Sequence, residues 1–213
     1  MILLTGFEPF GEDTVNPSWL AASRAGELLA AEGVTVEAVE LPCVFGESAK
    51  VLTDAIARLT PDIVVCTGLA GGRGRISLER VAINCDDARI PDNKGQRPID
   101  EEVIPGGPAA YFSSLPIKAA LRNLQIAGIK GEVSQSAGTY VCNHIFYALM
   151  HSLASAPGIR GGFVHVPYLP EQLPESSGTP SMPLETMAEG IAVIVRTALH
   201  TRADVKLSAG AIR

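Results

Sequence analysis

The sequence predicts an α/β fold in which a parallel or mixed sheet is covered by helices on both faces. Three observations carry that prediction. Short, continuously apolar runs such as "MILLT" and "PDIVVCTG" read as strands buried on both sides. Longer segments between them, such as "FGESAKVLTDAIARL", repeat apolar residues at helical spacing. The two kinds alternate along the chain, which is the order a helix-covered sheet requires.

The elements follow in turn. "MILLT" is a first strand ending at Gly6, and the loop "GFEPFGEDTVNPS" leads to a helix starting near Ser18 and closed by Gly33. "VTVEAVELP" alternates and is β-branched, so it is a second strand. A helix with Val51, Leu52, Ala55, Ile56 and Leu59 on its apolar face comes next, then "PDIVVCTG" with the Gly-rich "GLAGGRGR" at its end. One strand is expected from Ile76 to Ile83, before a long Asp-, Pro- and Gly-rich excursion that reads as a binding loop or a disordered segment. "IKAALRNLQIAG" returns to helix, "GEVSQS" is a short strand, and "IFYALMHSL" continues a buried helix that begins around Cys142. "GGFVHVP" is a strand stopped by Pro167, "PYLPEQLPESSGTPSMP" a surface loop, and "LETMAEGIAVIVRTALH" the last helix. The chain 1–213 is expected to form one domain, with a tail after about residue 201 that frays.

Composition narrows the partners. The chain is 46% hydrophobic and 19% charged, which suits a packed core rather than disorder. A net charge of −6 argues against nucleic acid or an anionic membrane as a partner. The start, "MILLTGFEPF", has no basic segment and reaches Gly6, Glu8 and Pro9 too soon for a secretory leader, so a cytoplasmic protein is expected. Cys43, Cys66, Cys85 and Cys142 include no C-x-x-C pair, and Cys142 with His144 lacks a second ligand pair. Neither disulfides nor a metal or other cofactor is expected.

Each thiol is then either packing or chemistry. Cys66 lies inside an apolar strand and reads as packing. Cys142, in "SAGTYVCNH", stands where a loop becomes a helix, beside unpaired N–H groups and the positive end of the dipole. That placement is expected to lower its pKa and make a thiolate available. A cysteine nucleophile needs an imidazole to take its proton. Of the four histidines, His144 lies two residues on and points elsewhere, His151 is in the helix body, and His200 closes the last helix. His165, at a strand end against a proline stop, is best placed. The acid orienting it is Glu79 or one of the carboxylates in "INCDDARIPDN", and Glu79 has a rival reading as an ion-pair partner of Arg80 or Arg89.

"TGFEPFG", "NPS", "AGGR", "ERVAIN", "DARIPDN", "SAGTYVCN" and "HVPYLPEQ" together resemble, in order and spacing, the pyroglutamyl-peptidase I (pyrrolidone-carboxylate peptidase) family of cysteine peptidases. The resemblance runs from Leu3 to about the last helix. It implies release of an N-terminal pyroglutamate through a thioester acyl-enzyme, with Glu79, Cys142 and His165 as the triad. By the same resemblance Arg89 and the Cys142 backbone N–H hold the oxyanion, and Phe7 and Phe10 flank the substrate ring. Ile90, Tyr140 and Val141 complete the wall, Asn16 is a nearby polar support, and Leu69 acts through its backbone. A single α/β domain with a twisted, mostly parallel sheet similar to purine nucleoside phosphorylases, assembled as a homotetramer, is also implied. Three positions depart from the family pattern: Leu69 where glutamine is common, Gln135 where asparagine is usual, and Tyr140 where phenylalanine is frequent. The Tyr140 hydroxyl needs a partner. The alternative is a non-catalytic or phosphate-binding α/β protein using "GGRGR", although that loop lacks the spacing of known phosphate-cradling motifs.

Overall fold

A computed structural model describes residues 1–174 and 176–210. Eight strands and five α-helices are described: β1 (Ile2–Phe7), α1 (Pro17–Ala31), β2 (Val36–Leu41), α2 (Glu47–Leu59), β3 (Ile63–Leu69), β4 (Ile76–Glu79) and β5 (Val81–Ile83). They continue with β6 (Ala110–Phe112), α3 (Ile117–Ile126), β7 (Gly131–Ser134), α4 (Val141–Leu153), β8 (Arg160–Val166) and α5 (Leu184–His200). Six strands form the main sheet in the order β2-β1-β3-β8-β4-β7. All its neighbours run parallel except β4 and β8.

The continuously apolar strands are buried on both faces, as their composition requires. Alternation then divides them. Ile2, Leu4, Ile63, Val65, Val164 and Val166 pack beneath α1, α3 and α5. Leu3, Val64, Cys66 and Phe163 pack beneath α2 and α4. Truncating a side chain such as Phe146 of α4, which has no exposed surface, to Ala would cost about 3–5 kcal/mol. The start of α1 is capped by a side chain: Asn16 Oδ1 accepts from the Ser18 N–H at 3.1 Å, with Pro17 opening the helix.

The single strand expected over 76–83 is two strands in different sheets. At Arg80 the chain leaves the main sheet, and β5 pairs antiparallel with β6 in a separate two-stranded sheet. Apolar residues continue through the break, with β4 buried throughout and β5 only in part, so periodicity alone does not reveal it. The excursion after β5 is held by backbone bonds, among them the Asp86–Glu101 bridge and β6 itself. Past Thr201 no helix or strand is described through residue 210; 211–213 and residue 175 lie outside the described residues. No helix among the described residues is long and apolar enough to cross a membrane.

Candidate active site

Alternation also sorts the chemistry. Gly68 on β3 pairs in register with His165 on β8, and Ser77 of the antiparallel β4 pairs with His165 from the other side. Glu79, two residues beyond Ser77, therefore shares the face that α4 covers. Glu79 has no exposed surface, and its Oε1 accepts from His165 Nδ1 at 2.8 Å. With Nδ1 carrying the proton, Nε2 is the basic nitrogen of the imidazole. Both ends of this pair sit at strand carboxyl ends, where ligands of such sheets bind.

Cys142 is the second residue of α4, and its sulfur lies directly over Gly68. A Cβ built on Gly68 would stand 2.8 Å from Sγ and 2.8 Å from the Phe163 ring, so only glycine leaves room for the thiol. The thiol thus rests one strand position beside His165, on adjacent strands about 4.8 Å apart. The expected lowering of its pKa is not what the structure gives. Burial pushes the Cys142 thiol up, with Cys43 and Glu79 adding to the rise and Arg73 opposing it. Cys43 and Cys66 are pushed up to about 12, again chiefly by burial. All four thiols are free.

A cavity of about 210 Å³ opens in front of Cys142. That is below the roughly 300–1,000 Å³ of pockets for drug-sized ligands and suits one small ring. Phe7, Phe10, Asn16, Leu69, Ile90, Tyr140 and Val141 are among the residues that line it. Tyr140 is the N-cap residue of α4, and its ring meets Phe10 and Phe45 edge-on at 5.5 and 5.4 Å. Its hydroxyl finds its partner in the Pro91 carbonyl at 3.0 Å. The departure from phenylalanine therefore adds a tie between the helix that carries Cys142 and the "RIPDN" loop. Asn16 is largely spent: Oδ1 accepts from both Ser18 N–H and Oγ–H, while Nδ2 donates to Glu8 O, leaving one amide hydrogen.

Arg89 stands apart. Its side chain is exposed and does not line the cavity, although Ile90 next to it does. Cavity residues that sequence reasoning missed include Cys43 after β2, Gly71 after β3 and Tyr168 after β8. Each directly follows a strand that reads clearly as such, so the strand-end rule is the signal that points to them. Gly71 is there for space, since a Cβ would meet the Tyr168 ring at 2.7 Å. The Gly-rich loop is no free phosphate cradle either: Arg73 Nη1 donates to Glu79 Oε1 at 2.7 Å. Among the described residues no group of three or more His, Cys, Asp or Glu is arranged to hold a metal ion.

A helix-mounted thiol beside a carboxylate-bound imidazole, on a mostly parallel sheet, defines the class of cysteine hydrolases on an α/β scaffold. The comparisons narrow this. The family model described as pyroglutamyl peptidase matches residues 1–201. A pyrrolidone-carboxylate peptidase of Escherichia fergusonii is 51% identical over 210 residues, covering 99% of this chain and 98% of that one. The Streptomyces coelicolor protein of the same name is 53% identical over 216 residues, covering 99% and 98%. The crystal structure of Bacillus amyloliquefaciens pyroglutamyl peptidase I superposes with a TM-score of 0.90 at 45% identity, covering 96% of this chain and 98% of that one. The chain belongs to the pyroglutamyl peptidase family and is a cysteine peptidase.

Proposed function

We propose that the protein hydrolyses the bond after an N-terminal pyroglutamate, with Cys142 as nucleophile, His165 as base and Glu79 as its orienting acid. The observation that carries the reading is the thiol over Gly68 with His165 beside it, opening onto a cavity sized for one ring. Because burial keeps the thiol protonated, His165 Nε2 takes its proton as sulfur attacks the pyroglutamyl carbonyl carbon. The oxyanion forms near the Cys142 N–H, one of the first-turn groups a helix leaves without an internal acceptor. Arg89 joins by turning its exposed side chain inward beside Ile90. Collapse breaks the C–N bond, the imidazolium gives its proton to the leaving amine, and a thioester remains. Water, deprotonated by His165, then attacks the thioester and frees pyroglutamate and the thiol.

The aromatic and aliphatic walls suit a neutral lactam. Peptides that begin with a charged amine would lose hydration there without gaining a partner, so they are refused. Free thiols support a cytoplasmic, reducing setting. The exposed apolar face of the small sheet, Ile83 and Phe112, supports assembly into the homotetramer expected by resemblance, which sedimentation would test. The decisive assay is release of chromophore from pyroglutamyl- and prolyl-anilides, with and without iodoacetamide. Turnover of the first alone, lost on alkylation, is expected. Comparable kcat/KM on both would show that the cavity reads ring shape only, and no turnover of either would overturn the reading.

A further inference from the structure

We infer that Arg73 is a positioning residue for this reaction, joining the triad acid to the loop that delivers the nucleophile. The inference rests on the triad assignment above and extends it to a residue that no resemblance assigns. Arg73 comes from the turn after β3, and its guanidinium reaches two places at once. Nη1 donates to Glu79 Oε1 at 2.7 Å, the same oxygen that accepts from His165 Nδ1. Nη2 donates to the Ser136 carbonyl at 3.2 Å, and Nη1 has a longer contact with Ser134 Oγ at 3.4 Å. Ser134 to Tyr140 is the run between β7 and α4, so it sets where the helix starts and where Cys142 stands.

The chemistry gives this contact weight. Glu79 is fully buried, its Oε2 has no partner, and a bare carboxylate there is costly. One cation on Oε1 lets it stay ionised beside an imidazole that must become charged during turnover. The planar fork of arginine is needed, because two directions must be served by one rigid group. The side chain is a third exposed, 32%, so it closes the acid off from solvent while its outer edge stays wet.

Charge and geometry separate in a pair of variants. In the proposed mechanism a carboxylate orients an imidazole that acts as a base, so a proton added to the Glu79–His165 pair is inhibitory. Removing a positive charge from beside the pair makes the extra proton bind more tightly, whichever of the two groups carries it. The charged or titratable groups around His165 are Glu79 on β4, Arg73 after β3 and Cys142 on α4. One strand further off is Glu132 on β7, bonded to Ser77.

The test uses a pyroglutamyl-anilide and full pH–rate profiles of the intact protein. Arg73→Met should lower kcat about 10- to 100-fold and move the acid limb of kcat/KM to higher pH. Arg73→Lys keeps the charge but not the fork, so its acid limb should stay in place while kcat falls several-fold. Wild-type kcat with an unmoved limb in Arg73→Met would make Arg73 an ordinary surface ion pair and overturn the inference. If Arg73→Met does not fold, Arg73→Lys decides alone, and wild-type kcat there overturns the bridging role. An inactive wild type would instead sink the proposed function, so the two failures are distinguishable.

Discussion

His165 and His144 each donate Nδ1–H to a buried carboxylate, Glu79 at 2.8 Å and Asp86 at 2.7 Å. Both carboxylates leave their second oxygen buried without a partner. The difference lies at the other nitrogen. His144 Nε2 accepts the Gly46 N–H at 3.1 Å, so that imidazole ties α4 to the start of α2 and has no lone pair to offer. Among the described residues His165 Nε2 makes no hydrogen bond, on the strand next to the glycine under the thiol, and Glu79 has Arg73 where Asp86 has no cation. A histidine–carboxylate pair thus becomes a base or a strut according to what its far nitrogen meets.

The largest effect comes from deleting each ring. His165→Ala should cut kcat by roughly 10³-fold or more while the protein stays folded, because Glu79 keeps Arg73 as a partner. His144→Ala should leave the chemistry within about tenfold but destabilise the fold by roughly 3–5 kcal/mol, since Asp86 is left buried and unpaired. Turnover and thermal melting of the two variants give opposite patterns if the comparison holds. Similar losses of rate in both would break it.

Replacing each acid by its amide is a finer probe. Glu79→Gln can still hold the imidazole but cannot stabilise its charge, so kcat should fall about 10- to 10³-fold, less than for either other triad change. Asp86→Asn should leave the rate within about threefold, because His144 Nε2 is taken by the Gly46 N–H and has no part in the proposed chemistry. Its melting temperature should drop by a few degrees, for a loss of about 1–3 kcal/mol. An equal rate loss in Asp86→Asn would mean that the loop it anchors, which carries Arg89 and Ile90, is what turnover depends on.

The strands and helices of the main sheet are legible because local composition decides them. "PDIVVCTG" can only be a strand buried on both faces, and its neighbours follow from the alternation of periods. The break at Arg80 is not legible, since nothing in the pattern says that Val81 to Ile83 changes partners. At the site, the turn of a helix sends His144 away from Cys142, where its ring meets Gly46, and the strand end points to His165, whose ring meets Glu79. Arg73 was hidden by its own motif: a glycine-rich basic loop reads as an anion site until the buried anion it serves, Glu79, is seen to be part of the protein. Cys43 and Tyr168 were hidden by distance along the chain, as cavity walls are assembled from loops that only the sheet order brings together.

The smallest expected signal concerns the thiol itself. A helix N-terminus is worth about 0.3–1 kcal/mol to a nearby anion, and up to about 2 when partly buried, which is roughly one unit of pKa. Full burial shifts a group by up to about 3–5 units. Burial therefore wins over the dipole at Cys142, and the opposing charge of Arg73 lowers the thiol too little to reverse the rise. An acid whose pKa is raised ionises only at higher pH, so no thiolate should be present at rest between about pH 6 and 9. The difference in 240-nm absorbance between wild type and Cys142→Ser, titrated across that range, should be flat. Cys43 and Cys66 cancel in the difference and are themselves pushed up to about 12. A step near neutral pH would instead reveal a resting thiolate–imidazolium pair. His165 would then be charged before substrate arrives, Glu79 and Arg73 would be holding an ion pair rather than awaiting one, and the contrast with His144 would lie in resting charge as well as in geometry.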